Sequence, residues 1–286
     1  MSKIKYRSRY EISRSLGQFY RQLVLLFMAG TIIFPLYFMI ATSFKTKQSY
    51  IMGKIMPPIN PTLDNFIRVF TRRDFLIWFM NSSILTVGSI VMGTVLASLA
   101  AYALARMNFK GKHTIYNIII SLMVVPPVVM IVPMFVLMAK IGLINTYPAV
   151  IIIYVGLILP FSIFLLTNFF ITIPQSMVES ALIDGCTSFK IFTHIILPLS
   201  KPALITTIVV NTFWVWNELL IALIFLQSSS LRTLMVGITT FKMRYDINVP
   251  LLFAGMVVAA LPMIILYLLS QTYFVKGITA GALKGE

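Results

Sequence analysis

Four aromatic or polar residues stand inside one long apolar run and could contact a solute. The run begins near Pro202, and the residues are Asn211, Trp214, Asn217 and Glu218. Aromatic faces and amide groups suit hydroxyl-rich ligands. A carboxylate such as Glu218 inside an apolar run usually faces protein or water. The four residues therefore line a path or its outer gate, or they hold helices or a partner subunit together, and residue type leaves both readings open.

Motifs for catalysis, nucleotide binding or metal binding are missing from the sequence. No G-x-x-x-x-G-K-[ST], H-E-x-x-H or G-x-S-x-G pattern occurs. His113 and His194 lack companion ligands, and Cys186 is the only cysteine, so neither a metal site nor an intrachain disulfide is expected. We therefore expect no enzyme activity and no cofactor in this chain.

Composition indicates that lipid is the solvent of this protein. Of 286 residues, 59% are hydrophobic and 11% charged, whereas soluble domains are about 45–50% apolar and about 25% charged. The net charge of +15 could indicate nucleic acid. However, no basic stripe with interleaved aromatic residues is present, and membrane proteins concentrate Lys and Arg beside their spans. We therefore expect a bilayer as partner, and no nucleic acid.

Six apolar runs are long enough to cross a bilayer, which takes about 20 residues. The first lacks charge for about 23 residues, more than the roughly 7–15 of a cleaved signal peptide, so we interpret it as a retained span. Pro126, Pro127 and Pro133 interrupt the third run as a kink or as irregular packing. The predicted fold class is an all-α integral membrane bundle of about six transmembrane helices, at residues 22–43, 82–105, 114–138, 147–170, 203–226 and 250–272.

Basic residues predict the orientation of the spans. Residues 1–21 hold six Lys or Arg against the single acid Glu11, which predicts a cytoplasmic N-terminus. The 106–112 loop agrees, but the external segment 44–81 also carries six cations, against the rule. The predicted organisation is a cytoplasmic segment 1–21, a membrane domain 22–272 with external segment 44–81 and cytoplasmic loop 173–201, and a cytoplasmic tail 273–286.

Two loops have a pattern of their own. In the external one, Phe66, Val69 and Phe70 predict a short amphipathic helix on the membrane surface. The other, residues 173–201, reads IPQSMVESALIDGCTSFKIFTHIILPLSK. A helix of about three turns should stop at Gly185, and Thr187 or Ser188 should cap a second helix. That helix should bury Phe189, Phe192 and Ile196 on one face and end at Pro198, which gives two short helices suited to docking in a partner's groove.

The same loop resembles the EAA loop of ABC-importer permeases. Glu179-Ser180-Ala181, three residues, Gly185, nine residues and then Ile195-x-Leu197-Pro198 follow the family pattern E-A-A-x3-G-x9-I-x-L-P. The one departure is Ser180 in place of Ala. The resemblance implies that this loop docks on a separate ATPase subunit, with contacts from the first helix, a bend, and a packed anchor at the end. The implied residues are Glu179, Ser180, Ala181, Asp184, Gly185, Phe189 and Pro198.

Other stretches resemble the smaller membrane subunit of maltose-type sugar importers. They are Asn81-Ser82-Ser83, Ala100 to Arg106, Phe109 to Lys112, Trp216-Asn217-Glu218 and Tyr273 to Gly285. This resemblance implies a type I permease bundle in the plasma membrane of a bacterium or archaeon, working by alternating access. It also implies two ATPase subunits, a second homologous permease in a heterodimer, and an external solute-binding protein.

Three alternatives are weaker. Another solute class, such as amino acids or polyamines, fits the same loop. A stand-alone secondary transporter would want buried carboxylates beyond Glu218. An intramembrane enzyme would need clustered acids or histidines at a membrane face, and the sequence has none.

Overall fold

The computed structural model describes residues 2–71, 73–240 and 248–282, with side chains for 18–71, 74–240 and 248–272. Within these ranges the ordered elements are helices, joined by 3₁₀ turns at Leu122–Val124 and Ser229–Leu231 and a π turn at Phe192–Ile196. The helices are α1 (Ser2–Ser43), α2 (Lys47–Met52), α3 (Asp64–Thr71), α4 (Arg73–Arg106), α5 (Lys112–Ser121), α6 (Pro127–Lys140), α7 (Tyr147–Thr172), α8 (Gln175–Ile183), α9 (Ser188–Ile191), α10 (Leu197–Leu199), α11 (Lys201–Trp216), α12 (Leu220–Phe225), α13 (Leu234–Thr239) and α14 (Val249–Ala282).

Four predicted spans are confirmed as long apolar helices. They are Gln18–Ser43, Asp74–Arg106, Tyr147–Thr172 and Val249–Thr272. The second starts earlier than the predicted residue 82, because α4 begins at Arg73 and its first turns already bury Phe75 and Trp78. The amphipathic helix predicted around Phe66 is α3. Within the described residues, two bent helix pairs bring the number of candidate spans from four to as many as six, if each pair counts as one span.

The third predicted span is not one straight helix. Its halves, α5 with its 3₁₀ turn and α6, are bent by 103° at the break between Val124 and Pro127. Val125 and Pro126 are extended, with ψ of 117° and 129°. A residue before proline avoids the α conformation, and neither proline can donate a backbone hydrogen bond. The prolines therefore break the helix outright, and Pro127 starts the next one.

The fifth predicted span, 203–226, is also wrong as a single helix. Helix α11 stops at Trp216, and α12 starts at Leu220. The second bent pair instead joins Ser188–Leu199 to Lys201–Trp216 at 76°. Glu218 therefore lies at a break between helices, where its carboxylate can meet free backbone N–H groups.

Helices α4 and α7 are parallel neighbours that pack closely. A Cβ on Gly88 would lie 3.0 Å from Cδ1 of Ile151, and one on Gly93 would lie 2.6 Å from Cδ1 of Ile158. The contacts advance in the same direction along both helices, so their N-termini share one end of the bundle. We call that end the Asn81 end and the opposite one the Arg106 end.

The chain divides into two compact units, Met1–Val69 with Phe241–Val257 and Phe70–Thr240 with Val258–Glu286. Helices α4 to α13 belong to the second. In the first, Lys45 is buried after the end of α1, and its Nζ donates to the carbonyl oxygens of Gly53 (2.8 Å) and Lys54 (2.9 Å). Asn65 Nδ2 donates to the carbonyl oxygens of Ser43 (2.9 Å) and Lys45 (2.7 Å). These bonds fold the 44–67 segment back onto the end of α1.

Candidate functional site

The 173–201 segment folds as two short helices around a glycine, and we call it the elbow. Helix α8 ends in a left-handed residue, Gly185, with φ 78°. The Gly185 N–H donates to the Leu182 carbonyl (3.1 Å) and the Cys186 N–H to the Ala181 carbonyl (2.9 Å). This pair of bonds is the Schellman arrangement, which satisfies the last carbonyls of a helix and favours glycine. The predicted stop at Gly185 is confirmed.

The second half of the elbow begins at its predicted cap and differs in its later residues. Thr187 Oγ1 accepts a hydrogen bond from the Lys190 N–H (3.4 Å), as predicted for a capping residue. The helix does not end at Pro198 but continues to Leu199. A π turn directly before the proline, in which the Leu197 N–H bonds to the Phe192 carbonyl, accommodates its missing N–H.

The elbow packs against the Arg106 end through some of its apolar residues and exposes others. Phe192 lies 5.1 Å from Tyr102 of α4 between ring centroids. The buried apolar elbow residues join one core with α4 and α7, and they are Ile173, Val178, Ala181, Ile191, Phe192 and Ile196. The prediction that Phe189 packs on this face is wrong, because its side chain is 66% exposed. Phe189 stands beside Phe192, with 6.3 Å between ring centroids, but Ile191 and Phe192 are the side chains that enter the core there.

The predicted contact residues of the elbow lie mainly on its outer surface. Glu179, Ser180, Asp184 and Gly185 are exposed, while Ala181 is buried against the core. Beside them stand two exposed apolar side chains, Leu182 (52%) and Ile183 (86%). An exposed apolar cluster with a polar rim is typical of a surface that a partner covers.

The break between α11 and α12 is built by Asn217 and Glu218. Asn217 ends α11, and its Nδ2 donates back to the Phe213 carbonyl (2.8 Å). Glu218 Oε1 accepts from the Ile221 N–H (2.8 Å) and Oε2 from the Ala222 N–H (3.1 Å). Its Oε2 also accepts from the Tyr154 hydroxyl of α7 (2.7 Å). The carboxylate thus caps α12 and braces it to α7, which sequence reasoning allowed as one of two roles.

The other two predicted residues of this group are separated by burial. Asn211 is buried, and its Nδ2 donates to Ser162 Oγ of α7 (2.7 Å). Trp214 is 37% exposed and meets Tyr154 edge to face at 5.8 Å. Asn211 therefore joins helices, whereas Trp214 has a free ring face.

An open cavity of about 700 Å³ beside the proline break is lined by Trp214, Asn217 and Glu218. Pro127 and Val128 of α6 form the facing wall. A second cavity of about 370 Å³ is lined by Met130, Met134 and Met138, and it shares Pro127 and Trp214 with the first. The structure therefore brings three of the four predicted residues together at a cavity and leaves Asn211 out of it.

Polar bonds fix the opposite, Asn81 end of the bundle. Asn81 Nδ2 donates to the carbonyls of Ser230 and Arg232 (both 2.8 Å), and the Tyr147 hydroxyl donates to Asn81 Oδ1 (2.7 Å). Asn145, at φ 64°, pairs its amide with Ser228 through bonds of 2.6 and 2.9 Å. Among the described residues, no three His, Cys, Asp or Glu side chains are placed to hold a metal ion.

Residues 93–280 match the family described as "Binding-protein-dependent transport system inner membrane component". The chain belongs to this family. It is a membrane-spanning permease of ABC-type importers, as the EAA-like loop indicated.

Three named relatives match about nine tenths of the permease. The trehalose/maltose transport system permease protein MalG of Thermococcus litoralis is 36% identical, over 91% of this chain and 94% of its own. The arabinooligosaccharides transport system permease protein AraQ of Halalkalibacterium halodurans is 34% identical over the same shares. The melibiose/raffinose/stachyose import permease protein MelC of Bacillus subtilis is 34% identical over 88% of this chain and 91% of its own.

Solved structures share the fold. A bacterial ABC transporter involved in the import of the acidic polysaccharide alginate matches with a TM-score of 0.82 at 22% identity, covering 92% of this permease and 98% of that chain. A complex of that type of transporter with an alginate pentasaccharide-bound periplasmic protein matches with a TM-score of 0.67 at 18% identity, over 88% and 92%. The type I permease bundle predicted from the sequence is confirmed.

Sequence reasoning missed several residues that the permease places beside these sites. Tyr154 and Ser162 lie within an apolar span and hold Glu218 and Asn211. The sequence placed Arg106 in a basic loop and in a stretch that resembles the family, but it did not predict the contact with the elbow through Gln175. Polar groups inside an otherwise apolar span were the available signal for the first two.

Proposed function

We propose that this permease imports a sugar or oligosaccharide and that its elbow docks on a separate ATPase subunit. The named relatives carry trehalose or maltose, arabinooligosaccharides, and melibiose, raffinose or stachyose. ATP and Mg²⁺ bind on the ATPase, and this chain only transmits its motion. The partners are the ATPase subunits, a second homologous permease in a heterodimer, and an external solute-binding protein, and the assembly resides in the plasma membrane.

The observation that carries the coupling role is the exposed tip of the elbow. Gly185 holds a left-handed turn between two helices whose inner faces are buried in the bundle core. The outward residues Leu182, Ile183 and Phe189 are apolar and more than half exposed. A rigid, core-anchored projection with an apolar tip suits insertion into a groove of a partner.

The solute path in this proposal follows the open cavity at the break after α11. The free ring face of Trp214 and the Asn217 side chain offer stacking and hydrogen bonding to hydroxyl groups. Glu218 has its oxygens engaged with Tyr154 and with backbone N–H groups, so it supports the rim. Asn211 does not line this cavity, and its role in the proposal is to join α11 to α7 through Ser162.

The first test is recovery of the ATPase subunit with the tagged permease from native membranes. Gly185→Trp places a bulky side chain on the elbow and should abolish recovery of a P-loop ATPase. Gly142→Trp is the matched control, because Gly142 also has positive φ (71°) and open space around it, but it lies outside the elbow. Equal recovery in both variants would contradict the coupling role.

The solute class is tested by uptake in cells that express the complete importer. Radiolabelled maltose, raffinose and an arabinooligosaccharide are supplied separately, with an amino acid and a polyamine as comparison solutes. Uptake of one sugar that is lost in Trp214→Ala or Asn217→Ala, with normal assembly, supports the proposed path. Uptake only of the amino acid or polyamine would contradict the sugar assignment. Wild-type sugar uptake by both variants and by Glu218→Gln would contradict the path.

The proposed orientation puts residues 1–21, the elbow and the 273–286 tail in the cytoplasm, and the 44–81 segment outside. Basic residues are expected on the cytoplasmic side, so the cations of the external 44–81 segment conflict with this assignment. Two of them have partners within that segment. Lys45 is buried on two carbonyl oxygens, and Arg68 pairs with Asp64 at 2.8 Å. The Arg106 end is then cytoplasmic, and the Asn81 end is external.

Labelling of single cysteines in a Cys186→Ser background tests this orientation. Ile183→Cys reports on the elbow and Ile59→Cys on the 44–81 segment, since these side chains are 86% and 87% exposed. A membrane-impermeant maleimide added to intact cells should label only Ile59→Cys. Labelling of Ile183→Cys alone would reverse the orientation.

A further inference from the structure

Arg106, the last residue of α4, reaches three places on the neighbouring α7–α8 connection. Its Nη2 donates to the carbonyl oxygens of Phe170 and Ile173, and its Nη1 donates to Gln175 Oε1 at 2.9 Å. One planar guanidinium therefore joins the ends of two parallel helices to the first residue of a third. An arginine can do this because its donors point in fixed, divergent directions.

The two Nη2 contacts complete the end of α7. The Phe170 carbonyl also accepts from the Ile173 N–H (3.3 Å), because Pro174, four residues on, has no N–H to offer. The last carbonyls of a helix carry partial negative charge, so a cation there stabilises the end. Phe170 is fully buried and Ile173 nearly so. Water is thus a poor substitute for the guanidinium at these carbonyls, and this half of the contact fixes α7 to α4.

The Nη1 contact joins Arg106 to Gln175, the first residue of α8. Between α7 and α8 the backbone is extended at Ile173 (ψ 131°) and Pro174 (ψ 132°). An extended dipeptide cannot transmit force as a continuous helix does, since its backbone hydrogen bonds are interrupted. The Arg106–Gln175 bond bridges this interruption from the side.

We propose that Arg106 is a positioning residue that transmits displacement of the elbow to α4 and α7. This role rests on the proposed coupling function. When the ATPase moves the elbow, the guanidinium holds Gln175 to the end of α4, so that both parallel helices follow. Buried elbow residues such as Val178, Ala181 and Phe192 add packing to the same link, and the guanidinium adds a hydrogen bond that crosses the α7–α8 interruption.

The test uses the complete importer in proteoliposomes and measures solute transported per ATP hydrolysed. Gln175→Met removes the bond to the elbow and leaves the α7 end capped. Arg106→Lys keeps the charge but cannot reach both sides with one ammonium group. We expect each variant to lower the ratio about tenfold, within the range of coupling between distant sites, while ATPase recovery stays at the wild-type level. Lys112→Gln is the control, because the Lys112 Nζ donates to the Met107 carbonyl (3.1 Å) of the loop before α5, and this variant should keep the wild-type ratio.

The outcomes separate coupling from a structural cap. A wild-type ratio in both Gln175→Met and Arg106→Lys would overturn the proposal. If Arg106→Lys fails to assemble, Gln175→Met decides alone, and a wild-type ratio there would leave Arg106 as a cap of α7 only. Failure of the coupling function is read separately, by retention of the ATPase in Gly185→Trp.

Discussion

The Tyr154 hydroxyl donates a hydrogen bond of 2.7 Å to Oε2 of Glu218, which joins the middle of α7 to the break between α11 and α12. The same carboxylate accepts two backbone N–H groups at the start of α12. Tyr154 is 1% exposed, so water cannot replace the bond at the hydroxyl. The break beside the cavity is therefore a braced element of the fold.

Removing the carboxylate should destabilise the permease more than removing the hydroxyl. Glu218→Ala leaves two N–H groups and a buried hydroxyl without their acceptor, and we expect a loss of about 2–4 kcal/mol. Tyr154→Phe deletes one donor and leaves the helix cap in place, so the loss should be about 1 kcal/mol. Thermal unfolding in nanodiscs measures both, with the exposed Glu179→Gln as control. A larger loss for Tyr154→Phe would contradict the capping role.

Two helical glycines should respond oppositely to alanine. A Cβ on Gly93 would lie 2.6 Å from Cδ1 of Ile158, so Gly93→Ala must push α4 and α7 apart or force a rotamer change, at about 1–3 kcal/mol. Gly156 has no atom within 4 Å of that position. Gly156→Ala should therefore be neutral or gain up to about 1 kcal/mol of helix propensity. Equal melting temperatures for the two variants would contradict the close α4–α7 packing.

The hydrogen bonds from Asn81 to the Ser230 and Arg232 carbonyls should limit the flexibility of the 228–234 loop. Asn81→Asp replaces the amide donor with an acceptor that faces the Ser230 and Arg232 carbonyls, so both bonds are lost and repulsion takes their place. Hydrogen exchange in that loop should speed up at least severalfold, equivalent to about 1 kcal/mol of local stability. Ser83→Ala is the matched control, because Ser83 Oγ donates to the Phe79 carbonyl of its own helix (2.8 Å). Unchanged hydrogen exchange in Asn81→Asp would show that the Asn81 hydrogen bonds do not stabilise the loop.

Lys45 should give the 44–67 segment a measurable pH dependence. Burial lowers the pKa of Lys45 below its ordinary 10.5. The unfolded chain therefore binds this proton more tightly than the folded chain. Between the lowered pKa and 10.5, the free energy of unfolding rises with pH, and below the lowered pKa this contribution is constant.

The measurement compares wild type with Lys45→Met. The variant leaves the Gly53 and Lys54 carbonyls without their donor, so it should be less stable by about 1–3 kcal/mol at neutral pH. The advantage of the wild type should grow as pH rises toward 10.5, as measured by protease resistance of the segment. An advantage that shrinks with rising pH would contradict the buried ammonium. Lys54→Met, with an exposed side chain, should show no such trend.

The sequence by itself determined the class of protein and the local shape of the elbow. Long uncharged runs require lipid, and the pattern around Gly185 follows from local rules for helix ends, so the span from Tyr147 and the elbow turn were predicted correctly. Such features depend on residues that are close in the chain.

Tertiary structure decided the helix breaks and the partners of the polar residues. An apolar run reads the same whether it is straight or broken, so the bend at Pro126 and the stop at Trp216 were not predictable from hydropathy. The pairing of Glu218 with Tyr154 depends on the packing of α11 against α7, and that of Arg106 with Gln175 depends on the close parallel contact of α4 and α7. A polar side chain inside a membrane protein needs a hydrogen-bonding partner. Which residue becomes that partner depends on the packing of segments that are distant in the sequence, so the neighbouring residues do not predict it.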